Sequence, residues 1–389
     1  MNLRTDFSVF RGVMIEIVDI TDKGKRIFKK FVDFPNKLYC NSPYYVPYFF
    51  GDEVNLTNPK KNVAFDECEV RYFLAYENCK IVGRVAAILQ HAANKKWQNK
   101  FVRFSRFDFI DNYEVAKKLL EKVEEFAKEK GMDVVHGPFG FNDLEREGLL
   151  IEGFDQNSTF IANYNYDYYE KHVLACGYEI ENIWNEYLIQ VPKTLPEKIQ
   201  RVADISEKRY GLRISQTKNL REFIKKHVDD FFKIYDEAYA VLPGTMPLTD
   251  KMRKQMLTQF KLVINHNFAK VVLDKDDNVV GVALCFPCIE DALKKSRGRI
   301  NLPAIFRILR QVKKPKAVEF AIIGAKPGYE SKGVAAVIMK EIYKNIVKIG
   351  MTEIESNPEL QQNVKIQSLW SVFEKKQHKK RATYSKKMY

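Results

Sequence analysis

Between Tyr329 and Ala335 the chain reads Tyr-Glu-Ser-Lys-Gly-Val-Ala. Small side chains there leave backbone N–H groups uncovered, and a following helix N-terminus adds partial positive charge. Together these can cradle a phosphate. Acids that can take a proton from an attacking amine are Glu319, Glu353 and Glu355 near this loop, and Glu152 and Asp155 in the first half. Any one of them alone is more often a solvated or paired charge than a base. Glu152 and Asp155 stand out because their surroundings are apolar, although acids so placed also brace loops. The six histidines are dispersed without helical ligand spacing, so no metal site is expected.

The elements that must position this loop are legible around it. Val318 to Ile323 is a short apolar run bounded by Gly324 and Pro327-Gly328, the pattern of a buried strand. From Val334 the apolar period changes: Val334, Val337, Ile338, Ile342, Ile346 and Ile349 recur at helical spacing. An ordinary strand–loop–helix crossover shares this outline.

At 389 residues two domains are expected, and 46% hydrophobic residues suffice for two cores. Lys plus Arg number 64 against 50 acids, a net charge of +14 that favours anionic partners such as nucleic acid, anionic lipid or CoA. No apolar run reaches membrane-spanning length, and the start shows no signal-peptide core. The start before Met14 reads as loosely held. Six scattered cysteines fit a reducing cytoplasm, and Cys285 and Cys288 read as buried small hydrophobes.

One order of elements recurs. A hairpin over residues 72–89 carries Gly83, and another over 270–286 carries Gly281; a strand, an amphipathic helix and Gly-Met follow each, at 131–132 and 350–351. This predicts two copies of one α/β unit, residues 14–192 and 193–389, joined near residues 191–196. The first copy has Asp111-Asn112-Tyr113-Glu114 where the second has its phosphate loop, so CoA is expected in the second and the acceptor against the first.

Two stretches exceed what a scaffold needs. Residues 137–169 form a long polar and aromatic connection, with Phe154, Phe160, Tyr164 and Tyr168 as candidate walls of an acceptor site. Residues 292–318 contain no acid, and Leu302, Ile305, Phe306, Leu309 and Val312 are expected on one helix face with Arg307, Arg310 and Lys313 opposite. An anionic membrane contact and a self-packed surface helix are both open for it. The basic tail 375–387 adds to the positive field, and simple solvation is open for it.

Glu330-Ser331-Lys332-Gly333-Val334-Ala335 resembles the acyl-CoA loop of the GNAT acyltransferase superfamily, Gln/Arg-x-x-Gly-x-Gly/Ala, with Gly333 and Ala335 at its last two fixed positions and Glu330 where Gln or Arg is usual. Gly137-Pro138-Phe139, residues 148–155, Asn163-Tyr164-Asn165, Tyr168-Tyr169 and Gly177-Tyr178 resemble a bacterial tandem-GNAT family that includes ceramide synthases. The resemblance implies an α/β fold of two tandem GNAT-like domains, each a mixed, mostly antiparallel sheet flanked by helices. It implies acyl-CoA or acetyl-CoA as co-substrate, held by Ile322, Ile323, Ser331, Lys332, Gly333, Val334 and Ala335. It also implies transfer to an amine, with Glu152, Asp155 and Glu319 as acids and Tyr169 as proton donor to the thiolate. The expected activity is a cytoplasmic N-acyltransferase acting on a small-molecule or lipid-like amine, at or near the inner membrane face, with nucleic acid not favoured. Two other readings stay open: a tRNA-dependent aminoacyl transferase of the peptidoglycan-bridge type, and a degenerate ligand-binding module.

Overall fold

The computed structural model describes residues 14–242 and 244–388; the start before Met14 lies outside them. The first half runs β1 (Ile15–Asp19), α1 (Lys25–Leu38), α2 (Phe50–Leu56), β2 (Cys68–Glu77), β3 (Lys80–Gln90), α3 (His91–Trp97), β4 (Phe101–Phe109), α4 (Tyr113–Glu129), β5 (Val134–Gly137), β6 (Leu149–Glu152), α5 (Tyr168–Ala175) and β7 (Glu179–Gln190). The second runs α6 (Glu197–Tyr210), β8 (Arg213–Ile214), α7 (Leu220–Tyr239), α8 (Asp250–Phe260), β9 (Ala269–Leu273), β10 (Val279–Pro287), α9 (Glu290–Ser296) and α10 (Leu302–Lys313). It continues with β11 (Ala317–Ala325), α11 (Val334–Ile349), β12 (Glu353–Ser356), β13 (Glu359–Leu360), α12 (Val364–Leu369) and β14 (Lys375–Lys387).

The strands form one mixed sheet in the order β1-β2-β3-β4-β5-β14-β7-β12-β11-β10-β9-β8. Its two ends repeat each other. β4 pairs parallel with β5 across the crossover helix α4, as β11 does with β12 across α11, while the other pairings are antiparallel. Gly83 and Gly281 show why the repeat keeps a glycine in each hairpin. A Cβ on Gly83 would meet Leu119 of α4 at 2.8 Å, and one on Gly281 would collide with Val334 of α11. The crossover helix packs closest at that point in both copies. Buried Val115, Leu119, Leu120 and Val123 of α4 fill one core, and Val334, Val337, Ile338 and Ile342 of α11 fill the other.

The last strands are exchanged. β7 follows the first unit but pairs with β12 of the second; β14 follows the second but pairs with β5 of the first. β7 and β14 also pair with each other at the centre of the sheet. The expected junction at residue 192 falls between β7 and α6.

This centre corrects the solvated reading left open for residues 375–387. Lys379 and Arg381 of β14 are buried because β7 brings Glu186 to them: Lys379 Nζ lies 3.1 Å from the Glu186 carboxylate, and Arg381 Nε donates to its other oxygen. Lysine-rich sequence alone does not reveal a strand whose charges are neutralised by a distant partner. A second correction concerns α10. It buries Ala304, Ile308 and Val312 and turns Leu302, Phe306 and Leu309 outward, so the expected single apolar face is split in two.

Candidate active site between the two halves

β11 is held by β10 along its length but by β12 only as far as Phe320 and Ser356. There Asn357-Pro358 ends the pairing, and Asn357 Nδ2 caps the Ala321 carbonyl at 3.1 Å. A bulge against β10 between Leu284 and Cys285 leaves Ala321 as the extra residue on β11. Beyond it, the Ile323 N–H and C=O have lost their strand partner. Each meets the Tyr239 hydroxyl at 3.4 Å, a long and weak substitute.

A cavity of about 340 Å³ opens at this split. Ala321 and Ile322 form part of its floor, and Leu220, Phe223, Ile224 and Phe231 of α7 with Phe260 and Ile264 give it an apolar wall. The first half contributes acids: Asp143, Glu145, Glu147 and Glu181 line the same space, beside His136. The loop carrying the first three is fixed by polar side chains of β3 and β4. Gln90 donates to the Phe141 carbonyl at 3.3 Å, Arg103 to the Gly140 carbonyl at 3.1 Å, and Arg106 bridges Glu53 and Glu145, each at 3.1 Å.

The four acids differ in what answers them. Glu145 has Arg106, Glu181 has the His136 ring at 3.3 Å, and Asp143 accepts from the Tyr235 hydroxyl at 2.5 Å. Glu147 has no hydrogen bond or ion pair among the described residues. Burial pushes its carboxyl well above the usual range, and neighbouring Asp143 adds to the shift. Burial raises Asp143 too, against the opposing Tyr235 hydrogen bond, and lowers His136, which favours its neutral ring.

At the second unit's loop, Gly333 takes φ +77°, and a Cβ there would run into Ser206 of α6, which closes over the turn. The N–H groups of Ser331, Gly333, Val334 and Ala335 have no backbone acceptor among the described residues. Glu330 folds back onto the loop and accepts from the Gly328 N–H at 2.7 Å. That bond and the one from its own N–H hold its carboxyl below the usual range. The loop thus already presents amides to one anionic group, its own carboxylate. The open amides of Ser331, Gly333, Val334 and Ala335 are of the kind that can hold a phosphate, and Glu330 engages none of them.

The remaining residues singled out from the sequence do not meet at the cavity. Glu152 ends β6, which pairs with β14 and sets it opposite Lys380, an exposed ion pair at 2.5 Å. Asp155 is exposed in the following turn. Tyr169 is fully buried, within 2.6 Å of the Tyr39 hydroxyl and accepting from the Phe109 N–H at 3.1 Å, where it serves packing. Tyr164 is buried in the same core, and Tyr168 and Phe154 pack against it. Glu319 is buried on β11 outside the cavity lining, accepting from Thr159 at 3.0 Å, and burial first and Glu355 second raise its carboxyl well above the usual range. Glu355 itself is bound by Lys379 at 2.9 Å. Glu186, Glu355 and His378 bring ligand atoms within 4.8 Å of one another, but Lys379 is the cation that contacts both glutamates.

Sequence reasoning missed Asp143, Glu147, Tyr235 and Tyr239. The first two carried a signal: Asp143, Glu145 and Glu147 alternate within the long loop already suspected of function. The tyrosines carried none beyond their four-residue spacing on a helix.

No family model matches the chain. It is 23% identical over 316 residues to the bacterial ceramide synthase of Caulobacter vibrioides, covering 78% of this chain and 79% of that protein. It is 21% identical over 318 residues to Protein YghO of Escherichia coli, covering 81% and 80%. The structure superposes on a tandem GNAT protein from the clavulanic acid biosynthesis pathway with a TM-score of 0.56 at 8% identity, over 96% of this chain and 98% of that one. A probable N-acyltransferase from Enterococcus faecalis gives 0.51 at 9% identity, over 96% and 73%. The fold is therefore that of tandem GNAT proteins, with two α/β units sharing one mostly antiparallel sheet.

Proposed function

We infer that the chain is a CoA-dependent N-acyltransferase whose acceptor is an amine borne on a long apolar chain. The observation that carries this is Glu147, the one of the cavity's four acids with no hydrogen bond or ion pair among the described residues, facing an apolar wall at the split of β11. A buried carboxyl of this kind gains most from a cationic partner, and an ammonium head supplies one. The phenylalanine-rich wall of α7 and Phe260 suits a hydrocarbon tail in the same cavity. Similarity to a protein named ceramide synthase supports a long-chain amine as the class of acceptor.

The residues of this chain divide the work. The amides of Ser331 to Ala335 would hold the CoA pyrophosphate, with Lys332 beside them. Acyl-CoA, when bound, supplies an activated thioester carbonyl. The Ile323 N–H, freed from strand pairing and only loosely met by Tyr239, is available to polarise a carbonyl oxygen at the split. Glu147, in its ionised form, takes the proton that the ammonium must lose before its nitrogen can attack; as the amide bond forms the thioester C–S bond would break, and the nitrogen's second proton would leave with the CoA sulfur as a thiol. Asp143 keeps a second acid beside it, oriented by Tyr235.

Steady-state kinetics of Glu147→Gln with a long-chain amine and a series of acyl-CoAs tests the reading. The rate constant should fall by about 10²- to 10⁴-fold, the usual worth of a general base. CoA affinity and melting temperature should hold. Full activity in this variant, or no acyl-CoA binding by the unaltered protein, would overturn it.

A further inference from the structure

We propose that α10 is a docking surface for anionic lipid bilayers. Its inward face is complete: Ala304, Ile308 and Val312 are buried on the core beneath α9 and α7. Its outward face is not what a solvated helix carries. Leu302 is 83% exposed, Phe306 69% and Leu309 49%, at i, i+4 and i+7, which places them in one stripe pointing away from the protein. Ile300, 46% exposed, extends the stripe at the helix start. Most other large exposed apolar side chains of the described residues stand singly on separate elements.

Charge names the partner. Residues 292–318 hold nine lysines and arginines and no acid. Arg299 is paired with Asp33, Lys316 with Asp291, and Lys294 is held by the Pro43 carbonyl. The other six, Arg307, Arg310, Lys313 and Lys314 among them, have no ion pair or side-chain hydrogen bond among the described residues, and all are exposed. Viewed down the helix, Arg310, Lys314 and Arg307 flank the stripe on one side and Lys313 stands at its C-terminal end. A nucleic acid would satisfy the cations and leave Leu302 and Phe306 in water. An anionic bilayer takes both at once, phosphate headgroups to the cations and acyl chains to the stripe. The inference stands on the surface of α10 and does not depend on the acyl-transfer reading.

The test uses the full chain and vesicles of phosphatidylglycerol in phosphatidylcholine, by co-sedimentation at rising salt. The protein should pellet with anionic vesicles, be released as salt shortens the screening length, and stay in solution with pure phosphatidylcholine. Phe306→Ser and Leu302→Ser should each weaken binding on the order of tenfold. Arg307→Gln and Arg310→Gln should weaken it by about fivefold apiece. These side chains are exposed, so melting temperatures should not move. Amide exchange with and without vesicles locates the contact independently of substitution, and protection should appear over residues 300–314. Equal retention by neutral vesicles, protection confined to other segments, or RNA binding that responds to the arginine changes alone would overturn the proposal. So would a concentration-dependent dimer abolished by Phe306→Ser in a protein that ignores vesicles.

Discussion

Tyr235 and Tyr239 lie one turn apart on α7, stacked at 4.7 Å, and reach the two halves of the molecule with their hydroxyls. Tyr235 donates to Asp143 of the first half, and Tyr239 meets the free backbone of Ile323 in the second. One helical turn thus couples the acid loop to the split strand.

Tyr235→Phe removes the donor from a carboxylate that burial already destabilises. Asp143 should then hold its proton to still higher pH, since the hydrogen bond is what opposes burial. The Michaelis constant for the amine should rise while CoA affinity stays. Stability should fall by about 1–3 kcal/mol, the cost of an unsatisfied buried polar group. Calorimetric CoA titration beside steady-state kinetics separates the two.

Lys379→Met leaves Glu355 without its ion pair and Glu186 with Arg381 alone at the centre of the sheet, where Lys379 and Glu186 are wholly buried. Breaking a buried pair from one side costs about 3–5 kcal/mol. Denaturant unfolding should show a loss of that size. Adding Glu355→Gln should return part of it, because the stranded charge is then gone.

Alkaline pH should weaken the fold. Burial raises Glu359 from 4.5 to about 7 and Glu290 from 4.5 to about 8. The folded chain therefore holds protons that the unfolded chain releases. That stabilisation is complete below the unfolded value near 4.5 and is lost as pH rises through about 7 and then about 8. Each group contributes a slope of about 1.4 kcal/mol per pH unit inside its window. Buried histidines act in the opposite sense below their ordinary value of 6.5, so the test belongs above it. Unfolding free energies from pH 6.5 to 8.5 should decline, and Glu290→Gln should flatten the decline.

The phosphate loop yields two variants with opposite outcomes. Glu330→Gln removes the carboxylate that engages the Gly328 N–H, so CoA should bind more tightly by calorimetry. Gly333→Ala should weaken CoA binding and also cost about 1–2 kcal/mol of stability, because its φ is +77° and Ser206 fills the space a Cβ needs. Ser206→Ala should recover only the steric part of that loss.

The sequence by itself determined the units. Hairpin glycines 83 and 281 and the period change at Val334 reflect local rules, pleat against helix and close packing at a glycine, and these show in a single stretch of chain. The strand, turn and helix around Gly333 were legible for the same reason, since their signals lie at consecutive positions. What only the tertiary structure decided depends on strands distant in sequence. Solvation was open for Lys379 and Arg381 until β14 entered between β5 and β7 and met Glu186. Whether Glu152 braces the loop and Tyr169 packs was open in the sequence; β6 sets Glu152 against Lys380, and Tyr169 is buried beside Tyr39. Glu147 has the same side chain as Glu152, five residues away. Glu147 lies in the cavity wall with no hydrogen bond or ion pair among the described residues, whereas Lys380 answers Glu152 at the surface.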